Sequence, residues 1–303
     1  MHSASEGRRR GTMLGLTAIV LWSATVALAR SMAEAIGPLA AGAAVYCLAG
    51  LLLAGAFLAK RHSFAAVRQL PARYVFGCGA LFVLYTLTLF EALGLAVNRT
   101  QSIEIALLNY LWPALTLLFS VPILGNRASW WLLPGTALAF SGVVVGVTQG
   151  AISWNAFASN LVGNPVAYGL GALAGVTWGL YSNLTRRWGT PGGGAVWLFT
   201  LATGLAFGIG VTFHPISAAW SVRVLAEIGC LGLATATAYV CWDRAMREGD
   251  LALVGACSYF TPLLSTAVSC LYLRVWPSPS LWIACVCVIA GSLLSWRSIR
   301  SQA

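Results

Sequence analysis

Residues 102–122 read Ser102-Ile-Glu-Ile-Ala-Leu-Leu-Asn-Tyr-Leu-Trp-Pro-Ala-Leu-Thr-Leu-Leu-Phe-Ser-Val-Pro122. About 20 apolar residues, rising 1.5 Å each as a helix, cross a hydrocarbon core about 30 Å thick. This stretch has that length, but its middle carries Asn109-Tyr110-Leu111-Trp112-Pro113. A proline inside a helix removes one backbone hydrogen bond and clashes with the turn before it. Membrane helices tolerate this where neighbours satisfy the freed carbonyl. Two readings of Pro113 stand side by side: a structural kink, or a bend beside a cavity, with Asn109 offering one acceptor and two donors.

The motif has a partner. Tyr110-Leu111-Trp112-Pro113 is matched by Tyr259-Phe260-Thr261-Pro262 at an offset of 149 residues, and Gly142 and Gly291 share that offset. Gly171-Ala-Leu-Ala-Gly-Val-Thr-Trp178-Gly179 matches Gly15-Leu-Thr-Ala-Ile-Val-Leu-Trp22-Ser23 at an offset of 156. Each match is weak alone, but their common order and nearly constant offset mark an internal repeat. The sequence predicts a first repeat over 1–149, a connection over 150–164 and a second repeat over 165–303. Pro113 and Pro262 are then equivalent kinks, and a kink present in both halves points to mechanism.

Composition sets the solvent. The 303 residues include 18 Lys or Arg and 8 Asp or Glu, so 9% are charged while 59% are apolar. A soluble domain carries about 25% charged residues. A polar surface cannot be built from so few, and disorder demands low hydrophobicity. The net charge of +10 lies scattered between apolar runs instead of on one stripe, which argues against nucleic acid. The runs are long and continuous, unlike the weak alternation of a membrane barrel.

Charge, Pro and Gly divide the chain into ten apolar segments: 13–31, 35–59, 71–94, 102–122, 130–149, 165–184, 194–213, 223–245, 250–273 and 280–297. Residues Glu6-Gly7-Arg8-Arg9-Arg10 precede the first. That run imitates a signal peptide but has no clean cleavage site, so it is predicted to be a retained first helix with a basic flank. Cytoplasmic loops are enriched in Lys and Arg. With the N-terminus inside, 14 basic residues fall on its side, and only Arg30, Arg99, Arg223 and Arg274 fall opposite. The expected fold class is all-α integral membrane: ten transmembrane helices in two inverted five-helix repeats, both termini cytoplasmic. Five helices per repeat is an odd number, so the second repeat enters the bilayer upside down relative to the first. That arrangement is typical of secondary transporters.

Candidate binding groups are polar or aromatic residues in mid-span. Trp22 lies about ten residues past the start of its segment and Trp178 about thirteen, so both are predicted near mid-membrane. Either they pack the bundle, or they line a cavity for an aromatic or apolar solute. Tyr181, three residues beyond Trp178, shares its side of the helix. Tyr46, Tyr85 and Tyr239 are further candidates, as are Asn109, Tyr110 and Trp112 with the matching Ser258 and Tyr259. Trp130, Trp131, Trp276, Trp282 and Trp296 sit near predicted ends and read as interface anchors.

The eight cysteines lie inside apolar runs with no CxxC pair, so neither a disulfide framework nor a metal site is expected. No cofactor is expected either. The three histidines fall in the tail and two loops, and no GxxxxGK[ST], HExxH or Gly-x-Ser-x-Gly string occurs. An enzyme is therefore disfavoured. A channel would need a filter-like string, and none appears. Ion-coupled carriers usually keep a carboxylate within the membrane. Here nearly all acids are read at segment ends or in loops: Glu91 and Asp243 near the ends of the third and eighth segments, and Glu104 two residues into the fourth. There Glu104 could pair with Arg99 or cap the helix. This distribution favours facilitated passage.

Ten spans, inverted five-helix halves, internal termini and the string Glu104-Ile-Ala-Leu-Leu-Asn-Tyr-Leu-Trp-Pro113 resemble the drug/metabolite transporter superfamily, specifically its EamA-type exporters and among them exporters of aromatic amino acids. The resemblance implies a multi-pass protein of a bacterial inner membrane, with the 150–164 connection periplasmic. It implies export of Phe, Tyr, Trp and other neutral amino acids by alternating access. Helices 1, 3, 4, 6, 8 and 9 would surround a central cavity, with 5 and 10 behind. The expected partners are an amino-acid substrate and the lipid bilayer, with no nucleic acid, and the protein is expected to work as a monomer. The alternative reading is a proton-driven EamA-type exporter of drugs or other metabolites.

Overall fold

The computed structural model describes residues 2–59, 67–148, 153–190, 194–213, 219–264, 267 and 279–300. Among the described residues there are twelve helices. In order they are α1 (His2–Ile36), α2 (Pro38–Ala59), α3 (Arg73–Gly94, opening with a π-helical turn), α4 (Arg99–Asn109), α5 (Trp112–Leu124), α6 (Leu132–Thr148), α7 (Trp154–Gly163), α8 (Pro165–Trp188), α9 (Val196–Phe213), α10 (Val222–Glu248), α11 (Leu251–Cys257) and α12 (Pro279–Ser298). A helical turn resumes after α11 over 260–264. Two-residue strands β1 (Arg127–Ala128) and β2 (Ile299–Arg300) pair antiparallel.

The helix ends follow local chemistry. Gly37, at φ 82°, ends α1 in the left-handed region, and Pro38 starts α2 at the position where no N–H is needed. Gly125, at φ 71°, closes α5 the same way. Asn98, Ser153, Ser221 and Asp250 cap α4, α7, α10 and α11, each side chain accepting from a backbone N–H three residues on.

Each of the ten predicted apolar segments coincides with a helix or a helix pair, but their forms differ from expectation. The first helix begins at His2, so the basic triplet Arg8, Arg9 and Arg10 is helical and not a flank. The fourth segment is two helices, α4 and α5. The ninth is α11 plus the 260–264 turn, and its predicted end lies outside the described residues. The 150–164 connection contains a helix, α7, with no buried residue. Among the described residues, six helices are long and apolar enough to cross a membrane: α2, α3, α9, α10, α12 and the combined stretch Gln101–Leu124. Leu132–Thr148 and Leu251–Leu264 are apolar but shorter.

Large apolar side chains point outward, among them Leu51, Phe76, Leu133, Ile209, Leu233 and Val286, all at least 60% exposed. A water-soluble surface does not carry so many. Small hydroxyl residues are buried instead. Thr116, Ser182 and Thr203 are 0% exposed and return their hydroxyl hydrogens to carbonyls four residues back. This satisfies polar groups without water.

The chain forms two compact units, and neither is a sequence half. One joins residues 1–87 with 184–249; the other joins 88–183 with 250–303. Each unit contains a tight crossing of two helices. In the first, a Cβ on Gly50 of α2 would lie 2.7 Å from the Leu201 backbone of α9, and a Cβ on Gly204 of α9 would lie 2.5 Å from the Cys47 nitrogen of α2. In the second, Gly142 of α6 meets Ala284 and Val288 of α12, while Gly291 of α12 meets Gly135 and Ala139 of α6. Both sets run in reverse order, so each helix pair is antiparallel. Both are also reciprocal: Gly50 and Gly204 stand 154 positions apart, as do Cys47 and Leu201, and the α6–α12 set keeps the 149 offset throughout.

Candidate functional site

The second unit contains Asn109-Tyr110-Leu111-Trp112-Pro113. Pro113 has no N–H to offer the Asn109 carbonyl. The chain responds by ending α4 at Asn109. Tyr110 N–H donates to Ala106 O at 2.9 Å, Leu111 N–H donates to Leu108 O at 3.2 Å, and α5 restarts at Trp112 with the proline in its first turn. The feature is thus a two-residue break and not a bent helix. The matching stretch breaks at Ser258-Tyr259, where Thr261 N–H donates to Ser258 O at 3.1 Å.

Helix α8 runs along this break. Gly171, Gly175 and Gly179 form a stripe, and their missing side chains admit Ile105, the carbonyls of Leu108 and Asn109, and Leu115. A Cβ on Gly175 would stand 3.1 Å from the Asn109 carbonyl oxygen. Three residues further along each partner, the Trp112 and Trp178 rings meet edge to face, with centroids 6.3 Å apart at 84°. Tyr181 stacks on Trp178 at 5.0 Å. Asn183 closes the seam, its amide donating at 2.9 Å to both Thr116 O and Gly179 O. The predicted residues Asn109, Trp112, Trp178 and Tyr181 therefore share one helix seam.

Tyr110 and Tyr259 lie in the apolar cluster built by α5, α6, α11 and α12, with Leu117, Val143 and Val288. Ser258 is fully buried and donates to Gly255 O at 2.6 Å. The amide oxygens of Asn109 and Asn183 and the hydroxyl of Tyr259 are buried with no hydrogen-bond partner. Leaving such a group unsatisfied costs about 1–3 kcal/mol.

The first unit gathers the other candidates. Trp22 packs on Tyr239 at 5.6 Å and on Trp242 at 5.1 Å. The Tyr46 and Tyr239 hydroxyls are 2.7 Å apart, and Phe82 meets the Tyr239 ring edge to face at 4.7 Å. Tyr85 is half-buried on α3.

Beside this aromatic set lies a charge network that the sequence reading placed at a rim. Asp243 is 2% exposed; its carboxylate accepts from the Tyr74 hydroxyl at 2.7 Å and pairs with Arg247 at 2.8 Å. Tyr74 in turn accepts from Ala195 N–H at 3.2 Å. Arg186 donates to the carbonyls of Met246, Arg247 and Gly249, capping the end of α10. Glu104 is also buried. It accepts hydrogen bonds from Tyr168 and, at 3.1 Å, from Asn160, while Asn98 takes the capping role. A helix-end position in the sequence did not mean a solvent position, because neighbouring helices cover both carboxylates.

Three of the five tryptophans read as interface anchors, Trp130, Trp131 and Trp282, are exposed. Trp296 instead packs on the α6–α12 core, and Trp276 lies outside the described residues. The sequence reading missed Trp242, Phe82, Tyr74 and Asn183. Only Asn183 carried a usable signal, an amide in an apolar run five residues past Trp178. The site offers aromatic faces and amide acceptors in a seam with no nucleophile–base pair, and among the described residues no three His, Cys, Asp or Glu groups are placed to hold a metal.

Comparison with known proteins bears on this geometry. The model of the EamA-like transporter family matches residues 9–148 and 166–297. The protein described as aromatic amino acid exporter YddG of Salmonella typhimurium is 34% identical over 297 residues, covering 97% of this chain and 99% of its own. Its Escherichia coli counterpart is 33% identical over 296 residues, covering 97% and 99%. The protein so described in Ancylobacter novellus is 33% identical over 295 residues, covering 95% and 97%. A solved crystal structure with 30% identity superposes at a TM-score of 0.80 and covers 94% of this chain and 96% of its own.

Proposed function

Given that the chain belongs to the EamA-like transporter family, we propose that it exports aromatic and other neutral amino acids across a bacterial inner membrane by alternating access around a central cavity. The carrying observation is the Trp112–Trp178–Tyr181 set at the α4–α5 break, an aromatic wall with amide acceptors beside it. The relatives' printed names supply the substrate class. The family match in two blocks and the antiparallel, reciprocal glycine crossings support two inverted five-helix repeats of ten spans. The 14-to-4 split of basic residues supports cytoplasmic termini.

Transport is facilitated. Among the described residues the buried carboxylates Asp243 and Glu104 are engaged, Asp243 with Arg247 and Tyr74, and Glu104 with Tyr168 and Asn160. A proton carrier has to release its partner in each cycle. The proton-driven alternative draws its support from the burial of Asp243. The deciding experiment loads proteoliposomes with labelled Phe, Trp, Leu, a sugar and a cationic dye, and follows efflux with and without an imposed pH gradient. The expected outcome is efflux of the amino acids at a rate the gradient leaves unchanged. A gradient-dependent rate overturns the facilitated reading, and efflux of the dye alone overturns the amino-acid reading.

A further inference from the structure

We infer that Asn109 receives the ammonium group of the transported amino acid; this rests on the amino-acid exporter reading above. Asn109 is 7% exposed, and its side-chain oxygen has no donor. Its main-chain carbonyl also lacks the N–H that position 113 would supply in an unbroken helix, because Pro113 has none. One residue thus presents two acceptors at the C-terminus of an eleven-residue helix, α4, where the backbone dipoles leave partial negative charge.

The neighbours decide the ligand class. Trp112 lies three residues on, and the Trp112–Trp178 pair supplies aromatic faces beside the acceptors. Glu104, on the same helix, is committed to Tyr168 and Asn160. Neutral carbonyl oxygens next to indole rings suit a primary ammonium carried on an aromatic side chain: the ammonium donates up to three hydrogen bonds, and the indole faces attract its charge. A carboxylate would meet acceptors at Asn109 Oδ1 and O and find a donor only at Nδ2, so it is disfavoured beside the two oxygens.

The test uses full-length protein in liposomes and efflux of labelled Phe. Phenethylamine, which lacks the carboxylate, and 3-phenylpropionate, which lacks the ammonium, serve as competitors. For the wild-type protein the amine competes about tenfold better or more, the size expected for charged hydrogen bonds. In Asn109→Leu this preference collapses to within about threefold while the Trp112 and Trp178 rings remain. In Asn109→Asp, which keeps the shape and adds negative charge, the preference rises. An unchanged amine-to-acid ratio in either variant overturns the inference, and Asn109→Asp alone suffices should the leucine variant fail to fold. Phe efflux that changes on exchanging sodium for potassium while the amine and the acid compete equally well assigns the acceptors to a metal cation and also overturns it. Failure of the wild-type protein to carry Phe sinks the exporter reading and this inference with it; carriage with an unchanged ratio sinks the inference alone.

Discussion

The Tyr74 hydroxyl donates to the Asp243 carboxylate at 2.7 Å and accepts from the Ala195 N–H at 3.2 Å, so one side-chain oxygen ties α3, α10 and the segment before α9 together. Arg247 completes the set from one turn along α10, with its side chain 7% exposed. Removing one partner of a buried ion pair leaves the other uncompensated. Arg247→Met is therefore expected to destabilise the folded protein by about 3–5 kcal/mol. Tyr74→Phe removes one donor from Asp243 and strands the Ala195 N–H, at a cost of about 1–3 kcal/mol. Thermal unfolding in detergent, followed by size-exclusion recovery, should rank the variants in that order. Equal melting temperatures for Arg247→Met and wild type would show that the network contributes nothing.

The edge-to-face contact of Trp112 and Trp178 predicts a transport effect beyond stability. Replacing either with Ala should lower efflux of Trp and Phe by at least about tenfold per folded molecule, the loss expected on removing a large aromatic contact surface. Membrane expression should fall much less. Efflux per folded molecule equal to wild type in both variants would remove the pair from the substrate path.

The glycine crossings predict paired behaviour. A methyl group on Gly142 or Gly291 runs into the facing helix, so both Ala variants should lose about 1–3 kcal/mol. Gly55 and Gly208 have open space where a Cβ would go, and Ala there should be neutral or stabilising by up to about 1 kcal/mol. Melting temperatures of the four single variants check this. A melting temperature for Gly291→Ala at or above wild type would contradict the close approach of α6 and α12.

Helix α7 buries none of its residues and depends on polar ties: Asn160 to Glu104 at 3.1 Å, and Asn164 to Leu95 O at 2.9 Å. The double variant Asn160→Ala, Asn164→Ala should leave the protein folded but expose 153–164 to limited proteolysis, with cleavage at least several-fold faster. Unchanged cleavage would mean that the Phe157–Tyr168 ring contact at 5.7 Å holds the helix by itself.

The sequence by itself determined the solvent, the helical class and the repeat. Few charges among long apolar runs force helices in lipid, because every backbone group must be satisfied locally. It also placed the break at Pro113, since a missing N–H is a property of one residue, and it put Tyr181 beside Trp178 through helical spacing alone. Only the tertiary structure decided which aromatic groups meet. Trp22 pairs with Tyr239 and Trp242 in one unit while Trp178 pairs with Trp112 in the other, although the sequence match sets the two tryptophans in register. Burial of Asp243 and Glu104 was likewise decided by what packs over them: Tyr74 comes from 169 positions away and Tyr168 from 64. Spacing along a chain fixes which side chains share a helix face. Which face meets which depends on side-chain contacts between segments far apart in sequence, and no local pattern encodes those.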